Sequence, residues 1–289
     1  MTLDAHQQFV DDLKSRGVFS SHDMEAAFRA VPRHCFLPQV SLKDVYTDRY
    51  VVVAQVKNGR ASSSSTQPSF MAKMLQQLGV EKGQRVLEIG TATGFNAALL
   101  SHLLGSQGVV VSIEFDPQLV TFATENLTRL GYTHLSSPPA ESDVPLCWLA
   151  KSGVAPIGLA CGDAWNGVRL SVPFQRLMAT IGSSDISPAW LRQTTPECRL
   201  VVPLTIFPQL TLSIAFDRRG NELISRSIVP CSFVPARGRM ATRANDWSRL
   251  QIVASPVSGE LGTSPPYCVI QTPEMNLRVL LSDDSVPVP

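Results

Sequence analysis

Long apolar runs are missing from this sequence: no stretch of about 18 apolar residues occurs, so we expect no membrane-spanning helix. The first residues lack a basic stretch followed by an apolar one, so we expect no secretion signal and a cytoplasmic protein. An excess of either charge is also missing, since 25 basic and 24 acidic residues leave a formal net charge of +1. This balance gives no electrostatic basis for binding nucleic acid or a membrane surface.

Sequence signals for metal binding and for disulfide bonds are absent too. The six cysteines are dispersed without a Cys-x-x-Cys pair, which favours reduced thiols. The five histidines form neither a His-Glu-x-x-His motif nor a cluster with ligand spacing, so we predict no metal site. The G-x-G-x-x-G pattern is also missing, which disfavours a nicotinamide-dependent dehydrogenase.

A glycine-rich turn at residues 85–96 is the most informative stretch of the chain. A short apolar run leads to Gly90 and Gly94, and the apolar-rich residues 97–104 follow. This order predicts a buried strand, a tight turn and a helix. Glu88 lies just before the first glycine, where an acid suits a ligand with a cationic end, such as the amino-acid part of S-adenosylmethionine. A structural salt bridge is the rival interpretation of Glu88.

A second strand and helix follow this turn and complete a parallel β–α–β unit. Residues 109–113 predict a buried strand, Asp116 and its following proline predict a helix start, and Gly131 predicts its end. Glu114 comes directly after the strand. An acid about 20 residues beyond the glycine turn can accept hydrogen bonds from both ribose hydroxyls of an adenosine group. A helix-capping acid is the alternative interpretation of Glu114.

Further strands predict an open α/β sheet, whose ligand binds beyond the carboxyl ends of the strands. We expect these strands at residues 157–161, 174–181 and 198–204. Asp163 follows the first of them and could accept from the exocyclic amine of adenine, or it could be a simple turn aspartate. The residues between 133 and 156 lose the pattern, and we interpret them as an insertion.

The N-terminal part predicts helices and one short β-rich piece. Residues 1–31 predict two helices, and the β-rich piece covers residues 50–56. A run of four serines and a threonine precedes Pro68. Its composition indicates a flexible loop, but proline at the first position of a helix suggests that these hydroxyls crowd a helix start.

We divide the chain into three parts on these patterns. The first 60 residues form a cap of helices and β-structure, residues 61–216 form the core, and residues 217–289 form a C-terminal extension. Alternation over residues 210–216 predicts an antiparallel strand.

Together these residues resemble the protein-L-isoaspartate (D-aspartate) O-methyltransferase family over roughly residues 31–216. The glycine motif at residues 86–94 is moderately specific on its own. Together with the motifs at residues 31–38 and 66–68, the resemblance is more specific. The motifs are Val-Pro-Arg-His-Cys-Phe-Leu-Pro (31–38), Thr-Gln-Pro (66–68), Val-Leu-Glu-Ile-Gly-Thr-Ala-Thr-Gly (86–94), Val-Ser-Ile-Glu (111–114), Gly-Asp (162–163) and Arg-Leu-Val-Val-Pro (199–203).

The resemblance implies a Rossmann-like S-adenosylmethionine-dependent methyltransferase, α/β, with a mostly parallel central sheet and helices on both faces. It implies methyl transfer to a carboxylate of an isoaspartyl peptide or protein, as in protein repair, with S-adenosylhomocysteine as the product. The cofactor-binding residues that it implies are Glu88, Gly90, Thr91, Gly94, Glu114, Asp163 and Ala164. The catalytic residues that it implies are Ser64, Ser65 and Thr66, whose hydroxyls would steer the carboxylate.

Thr66 departs from the family pattern, which has a serine before this Gln-Pro step. Two alternatives therefore stay open: a dedicated methyltransferase for an aspartate in a biosynthetic precursor peptide, and a non-catalytic S-adenosylmethionine-binding module. The sequence does not indicate an oligomeric state.

Overall fold

The computed structural model describes residues 2–55, 59, 61–207, 210–220, 222–241, 251–254, 267–272 and 275–280. The helices are α1 (Thr2–Ser15), α2 (His22–Ala30), α3 (Leu42–Val45), α4 (Pro68–Leu78), α5 (Phe95–Leu104), α6 (Pro117–Arg129) and α7 (Pro188–Arg192), with 3-10 turns at Arg33–Phe36, Ala164–Asn166 and Gly238–Met240. The strands are β1 (Val51–Gln55), β2 (Ala61–Ser65), β3 (Arg85–Ile89), β4 (Val109–Glu114), β5 (Thr133–His134), β6 (Cys147–Ala150), β7 (Ile157–Cys161), β8 (Phe174–Ala179), β9 (Thr194–Phe207), β10 (Leu210–Arg219), β11 (Glu222–Cys231), β12 (Gln251–Ala254), β13 (Tyr267–Thr272) and β14 (Met275–Leu280).

Twelve of these strands form one sheet in the order β12-β13-β14-β11-β10-β9-β8-β3-β4-β7-β6-β5. The five central strands, β9-β8-β3-β4-β7, run parallel. This arrangement confirms the α/β fold with a mostly parallel centre. The ends of β3 and β4 lie side by side in the middle of the sheet, which is where a ligand of such a fold binds.

The core lies on both faces of this sheet. Val86 on β3 packs in one apolar cluster with residues of α1, α2, α4, α5 and α6. Its neighbour Leu87 points to the opposite face and packs in a second cluster that includes Trp190 of α7. The longer helices therefore cover one face, and the short α7 covers the other. Period-2 alternation along β3 sends successive side chains to these two clusters.

Local signals set the helices around the site, as predicted. Asp116 caps α6, where its side chain accepts from the backbone N–H of Gln118 at 3.0 Å, and Pro117 takes the first helical position. Gly131, in a left-handed conformation with φ of 90°, follows the end of this helix. Pro68 likewise takes the first position of α4. These signals work because each depends on residues within one turn of the helix end.

The serine run differs from the prediction. It forms strand β2, which pairs antiparallel with β1 in a separate two-stranded sheet. The hydroxyls therefore lie along a strand and do not crowd the start of α4. This pair of strands also crosses the predicted boundary at residue 60.

The segment between residues 133 and 156 is not simply an insertion. It contains β5 and β6, which extend the central sheet at the edge next to β7. On the other side of the parallel centre, β10 runs through residue 216, so the predicted boundary there falls inside a strand. The described strands of the C-terminal extension continue the same sheet. In the described part of the chain, no helix is long and apolar enough to cross a membrane.

Candidate functional site

A pocket opens beyond the carboxyl ends of β3 and β4. It holds about 550 Å³ of space, including its mouth toward solvent. It brings together four residues that the sequence predicts for the site: Ser64, Gly90, Glu114 and Ala164. Its other lining residues are Ser62, Ser63, Ala92, Ile113, Phe115, Thr180, Ile181, Val234, Pro235, Ala236 and Arg237.

Gly90 forms part of the pocket wall, at a point where no side chain fits. Its φ is +99°, in the region that favours glycine, and an added Cβ would lie 2.8 Å from Thr180 Oγ1 and 2.9 Å from Ile181 Cγ2. The Thr180 hydroxyl also donates to the carbonyl of Gly90 at 2.6 Å. Thr180 and Ile181, which follow β8, therefore pack directly against the glycine turn. The backbone at Gly90 carries no side chain and forms a cradle that a ligand can approach closely.

The rest of the glycine turn supports this cradle from behind. Gly94 caps α5 with φ of 84°, and an added Cβ would meet Ala123 at 3.3 Å. The Thr91 hydroxyl is buried and bonds to Ser112 Oγ at 2.6 Å. Neither residue lines the pocket, so they shape the turn while Gly90 faces the pocket. Direct contact of Thr91 or Gly94 with a cofactor stays a prediction.

Ala92 was not predicted as a site residue, although it lines the pocket. Its φ of 47° is unusual for a residue with a side chain and costs about 1–3 kcal/mol. Its backbone N–H donates to Glu114 Oε2 at 2.9 Å. This bond ties the strained turn to the acid on the neighbouring strand. A strained backbone has no signature in the residue type alone, so the sequence offered no signal.

Glu114 is held in the pocket wall by backbone donors on two sides. Its Oε2 accepts from Ala92, and its Oε1 accepts from the N–H of Asp116 at 3.1 Å. The helix-capping alternative is not what the structure describes, because Asp116 caps α6 and Glu114 ends β4. A carboxylate oriented in this way can accept further hydrogen bonds from hydroxyls in the pocket.

Glu88 lies behind the turn and not on the pocket wall. It is fully buried, where its Oε1 accepts from Asn96 Nδ2 at 2.7 Å and its Oε2 accepts from Ser112 Oγ at 2.6 Å. Among the described residues no cation pairs with it, so the salt-bridge interpretation is wrong for this part of the chain. Burial raises the pKa of Glu88 to about 7, against the opposing effect of the two donors. Its predicted contact with the cofactor stays a prediction.

The raised pKa of Glu88 predicts a pH dependence of stability. Because the folded protein binds this proton more tightly than the unfolded chain, the stabilisation is present at low pH and is lost as pH rises from about 4.5 to about 7. A difference of this size corresponds to about 3 kcal/mol at most. In Glu88→Gln, the free energy of unfolding should lack this decline. Urea unfolding at pH 5 and pH 7.5 measures the difference.

Glu125→Gln is a suitable control, because Glu125 is exposed on α6 and pairs with Arg129 one turn away. Its pH profile should follow that of the wild type. Parallel profiles for Glu88→Gln and the wild type would contradict the assignment of the buried proton to Glu88.

Asp163 caps a 3-10 turn beside the pocket. Its Oδ1 accepts from the N–H of Trp165 at 2.9 Å, and its Oδ2 accepts from the N–H of Arg239 at 2.9 Å. The next residue, Ala164, lines the pocket. These are the bonds of a turn aspartate, and a contact with adenine stays a prediction.

The hydroxyl run reaches the pocket through strand β2. Ser62, Ser63 and Ser64 line it, whereas Ser65 and Thr66 do not. The Ser65 hydroxyl is buried with no hydrogen-bond partner among the described residues. An orphaned hydroxyl is costly in a protein interior, and a direct contact of Ser65 with the substrate stays a prediction.

Arg33 fixes the end of this strand. It is 2% exposed, and its guanidinium donates to backbone carbonyls at 3.0–3.4 Å. The carbonyls belong to Val45, Thr47, Arg49, Ser65 and Thr66. Burial lowers the pKa of Arg33 to about 10, so it stays charged near neutral pH. Sequence reasoning used this arginine only as part of a motif and missed its contact with the hydroxyl run.

The C-terminal side of the pocket comes from residues 232–241, which we call the strap. Its backbone pairs with Gly182 at the end of β8: the N–H of Gly182 donates to Val234 O, and the N–H of Ala236 donates to Gly182 O, both at 2.8 Å. Arg237 of the strap lies 3.5 Å from Glu114 Oε1. The strap was missed because its contacts are with residues more than fifty positions earlier in the chain.

The pocket fits S-adenosylmethionine. A parallel sheet, a glycine turn that excludes any side chain and an oriented acid after the next strand suit this cofactor. The fold and the site therefore define an S-adenosylmethionine-dependent methyltransferase.

The family model for protein-L-isoaspartate (D-aspartate) O-methyltransferase matches residues 4–241. The chain belongs to this family, as the motifs predicted.

Relatives and solved structures agree with this assignment. The protein-L-isoaspartate O-methyltransferase of Thermotoga maritima is 30% identical over 79% of this chain and 64% of its own, so the chain spans less than two thirds of that relative. The Methanopyrus kandleri enzyme of the same name is 27% identical over 81% of this chain and 92% of its own. A solved protein-L-isoaspartate O-methyltransferase superposes with a TM-score of 0.68 and 28% identity over 82% of this chain and 67% of its own.

A Plasmodium falciparum structure, solved with S-adenosylhomocysteine, superposes with a TM-score of 0.63 over 80% of this chain and 98% of its own. At 14% identity it supports the fold alone.

Proposed function

We propose that this protein methylates the free α-carboxylate of L-isoaspartyl residues in peptides and proteins, the first step of repair. The observation that carries the proposal is that one pocket joins the glycine cradle at Gly90, the acid Glu114 and the hydroxyl strand β2, in a chain of this family. Five described cysteines are unpaired, which supports a cytoplasmic location.

Each predicted cofactor residue has a place in this proposal. Gly90 admits the amino-acid end of S-adenosylmethionine, Glu114 accepts from the ribose hydroxyls, and Asp163 with Ala164 borders adenine. Glu88 acts through Asn96, because both sit behind the turn and their hydrogen bond fixes the start of α5. Thr91 and Gly94 keep the turn in shape.

The reaction needs orientation more than acid–base help. S-adenosylmethionine supplies a methyl group on a sulfonium, and a carboxylate is already ionised at neutral pH. The chain's own part is to align the carboxylate and to exclude water, and good alignment can contribute as much as ~7–11 kcal/mol. The hydroxyls of Ser64, Ser65 and Thr66 provide donors for this alignment. Arg33 holds the backbone of the last two in place.

A pair of twin peptides tests the proposal. Methyl transfer from S-adenosylmethionine to an isoaspartyl peptide is expected, and its aspartyl twin should react at least a hundredfold more slowly. Ser64→Ala should lower kcat/KM for the peptide by about ten- to a hundredfold, since a lost hydrogen bond to a charged group is worth roughly 1.5–3 kcal/mol. Its KM for S-adenosylmethionine should change little.

Two results would refute the repair assignment. Equal rates on the twin peptides would favour an enzyme dedicated to aspartate in a precursor. S-adenosylmethionine binding without transfer to either peptide would favour a binding module.

A further inference from the structure

The strap packs directly against both acids that we assign to the adenosine end of the cofactor. Arg237 reaches Glu114, and the N–H of Arg239 donates to Asp163 Oδ2 at 2.9 Å. Between them lies Gly238, with φ of +65°, where an added Cβ would collide with the Asp163 carboxylate. The strap is therefore fitted closely to this end of the pocket.

Arg237 contacts three consecutive residues at the end of β4. Its guanidinium lies 3.5 Å from Glu114 Oε1 and 3.4 Å from Asp116 Oδ2. It also stacks over the ring of Phe115, with its central carbon 5.1 Å from the ring centroid. The planar group thus combines stacking on Phe115 with an ion pair to Glu114 and a hydrogen bond to Asp116.

These contacts are of the kinds that adenosine would make here. Adenine is a planar group that can stack on Phe115, and the ribose hydroxyls are donors for Glu114. Asp163 receives a backbone N–H from Arg239, where the exocyclic amine of adenine would be the donor. The strap therefore presents to the pocket a set of groups like those of the nucleoside.

The position of Arg237 turns this likeness into competition. The N–H groups of Ala92 and Asp116 already take two of the about four acceptor sites of the Glu114 carboxylate. The Arg237 guanidinium pairs with the same carboxylate, 3.5 Å from Oε1, and Arg237 lines the pocket. A ribose hydroxyl bound to Oε1 would have to share this space with the guanidinium.

We propose that Arg237 is an internal competitor for the adenosine subsite, which must release Glu114 before S-adenosylmethionine binds. Asp116, which Arg237 already contacts, then keeps the cation paired. This inference rests on the proposed function, since it takes Glu114 as the ribose acceptor. It makes Arg237 a residue that sets the affinity for the cofactor without taking part in the transfer.

Calorimetry with S-adenosylhomocysteine tests the proposal on the full chain. Arg237→Met should bind about threefold more tightly than the wild type, a modest gain because the ion pair is partly exposed. The association rate measured by stopped flow should rise by a similar factor, and Arg237→Lys should fall between the two. Asp116→Asn, which removes the second partner of Arg237 but keeps a good helix cap, should bind more weakly.

Arg226→Met is the matched control. Arg226 pairs with Asp217 at 3.0 Å on β10 and β11, outside the pocket lining, so its loss should leave the affinity unchanged. Unchanged or weaker binding by Arg237→Met would overturn the competition while leaving the proposed function intact. Failure of the wild type to bind S-adenosylhomocysteine would overturn both.

Discussion

Gly90→Ala is expected to weaken S-adenosylmethionine binding by more than a hundredfold. The new methyl group would lie 2.8 Å from Thr180 Oγ1 and 2.9 Å from Ile181 Cγ2, so the turn must move away from β8. A turn displaced by even about 1 Å no longer presents its backbone to the ligand, and misplacement on that scale costs on the order of a hundredfold. Calorimetry with S-adenosylmethionine measures the loss.

Gly131→Ala separates this steric effect from backbone strain. Gly131 has a similar positive φ of 90°, but an added Cβ there meets nothing within 4 Å. Both variants pay about 1–2 kcal/mol for a left-handed alanine. Only Gly90→Ala should lose the cofactor, although both should show a lower melting temperature. Cofactor binding by Gly90→Ala within tenfold of the wild type would show that the turn is not the cradle.

The centre of the fold could be predicted because its signals are local. The unit β3–α5–β4–α6 follows from a short apolar run, two glycines, a second apolar run and the Asp116-Pro117 helix start. Each of these signals acts within a few residues. The acid Glu114 was predicted for the same reason, since it directly follows a strand at a topologically fixed place.

Strand β2 could not be predicted in the same way. Serine has a weak strand preference, so the run from Ser62 to Ser65 indicated a loop by composition. It forms a strand because β1 pairs with it and because Arg33, about thirty residues earlier, holds the carbonyl groups at its end. Such tertiary contacts leave no periodic pattern in the sequence.

The position of Glu88 shows the limit of motif reasoning. The acid before the first glycine was predicted to grip a cationic group, and the motif is correct. In the structure Glu88 instead accepts from Asn96 and Ser112, and Gly90 and Ala92 form the wall in front of it. A sequence motif fixes which residues gather at a turn, but burial decides which of them a ligand can touch.

Glu114→Gln is expected to weaken the binding of S-adenosylmethionine much more than it lowers kcat. The amide keeps the size of the side chain, but an NH₂ group replaces one of the two carboxylate oxygens. Ala92 and Asp116 each point an N–H group at one of these oxygens, so one N–H would then face another donor. The variant must leave one of these donors without an acceptor or turn its oxygen away from the pocket. The two hydrogen bonds that the ribose hydroxyls would make to this charged acceptor would then weaken or disappear, at roughly 1.5–3 kcal/mol each.

This cost predicts at least a hundredfold weaker binding of S-adenosylmethionine, since every 1.4 kcal/mol corresponds to about tenfold. At saturating cofactor kcat should fall much less, because the ribose contacts are the same before and during transfer. Glu197→Gln, an exposed acid on β9, should behave like the wild type. A variant with normal affinity for the cofactor but a raised KM for the peptide would mean that Glu114 faces the substrate, and the ribose would then need another acceptor.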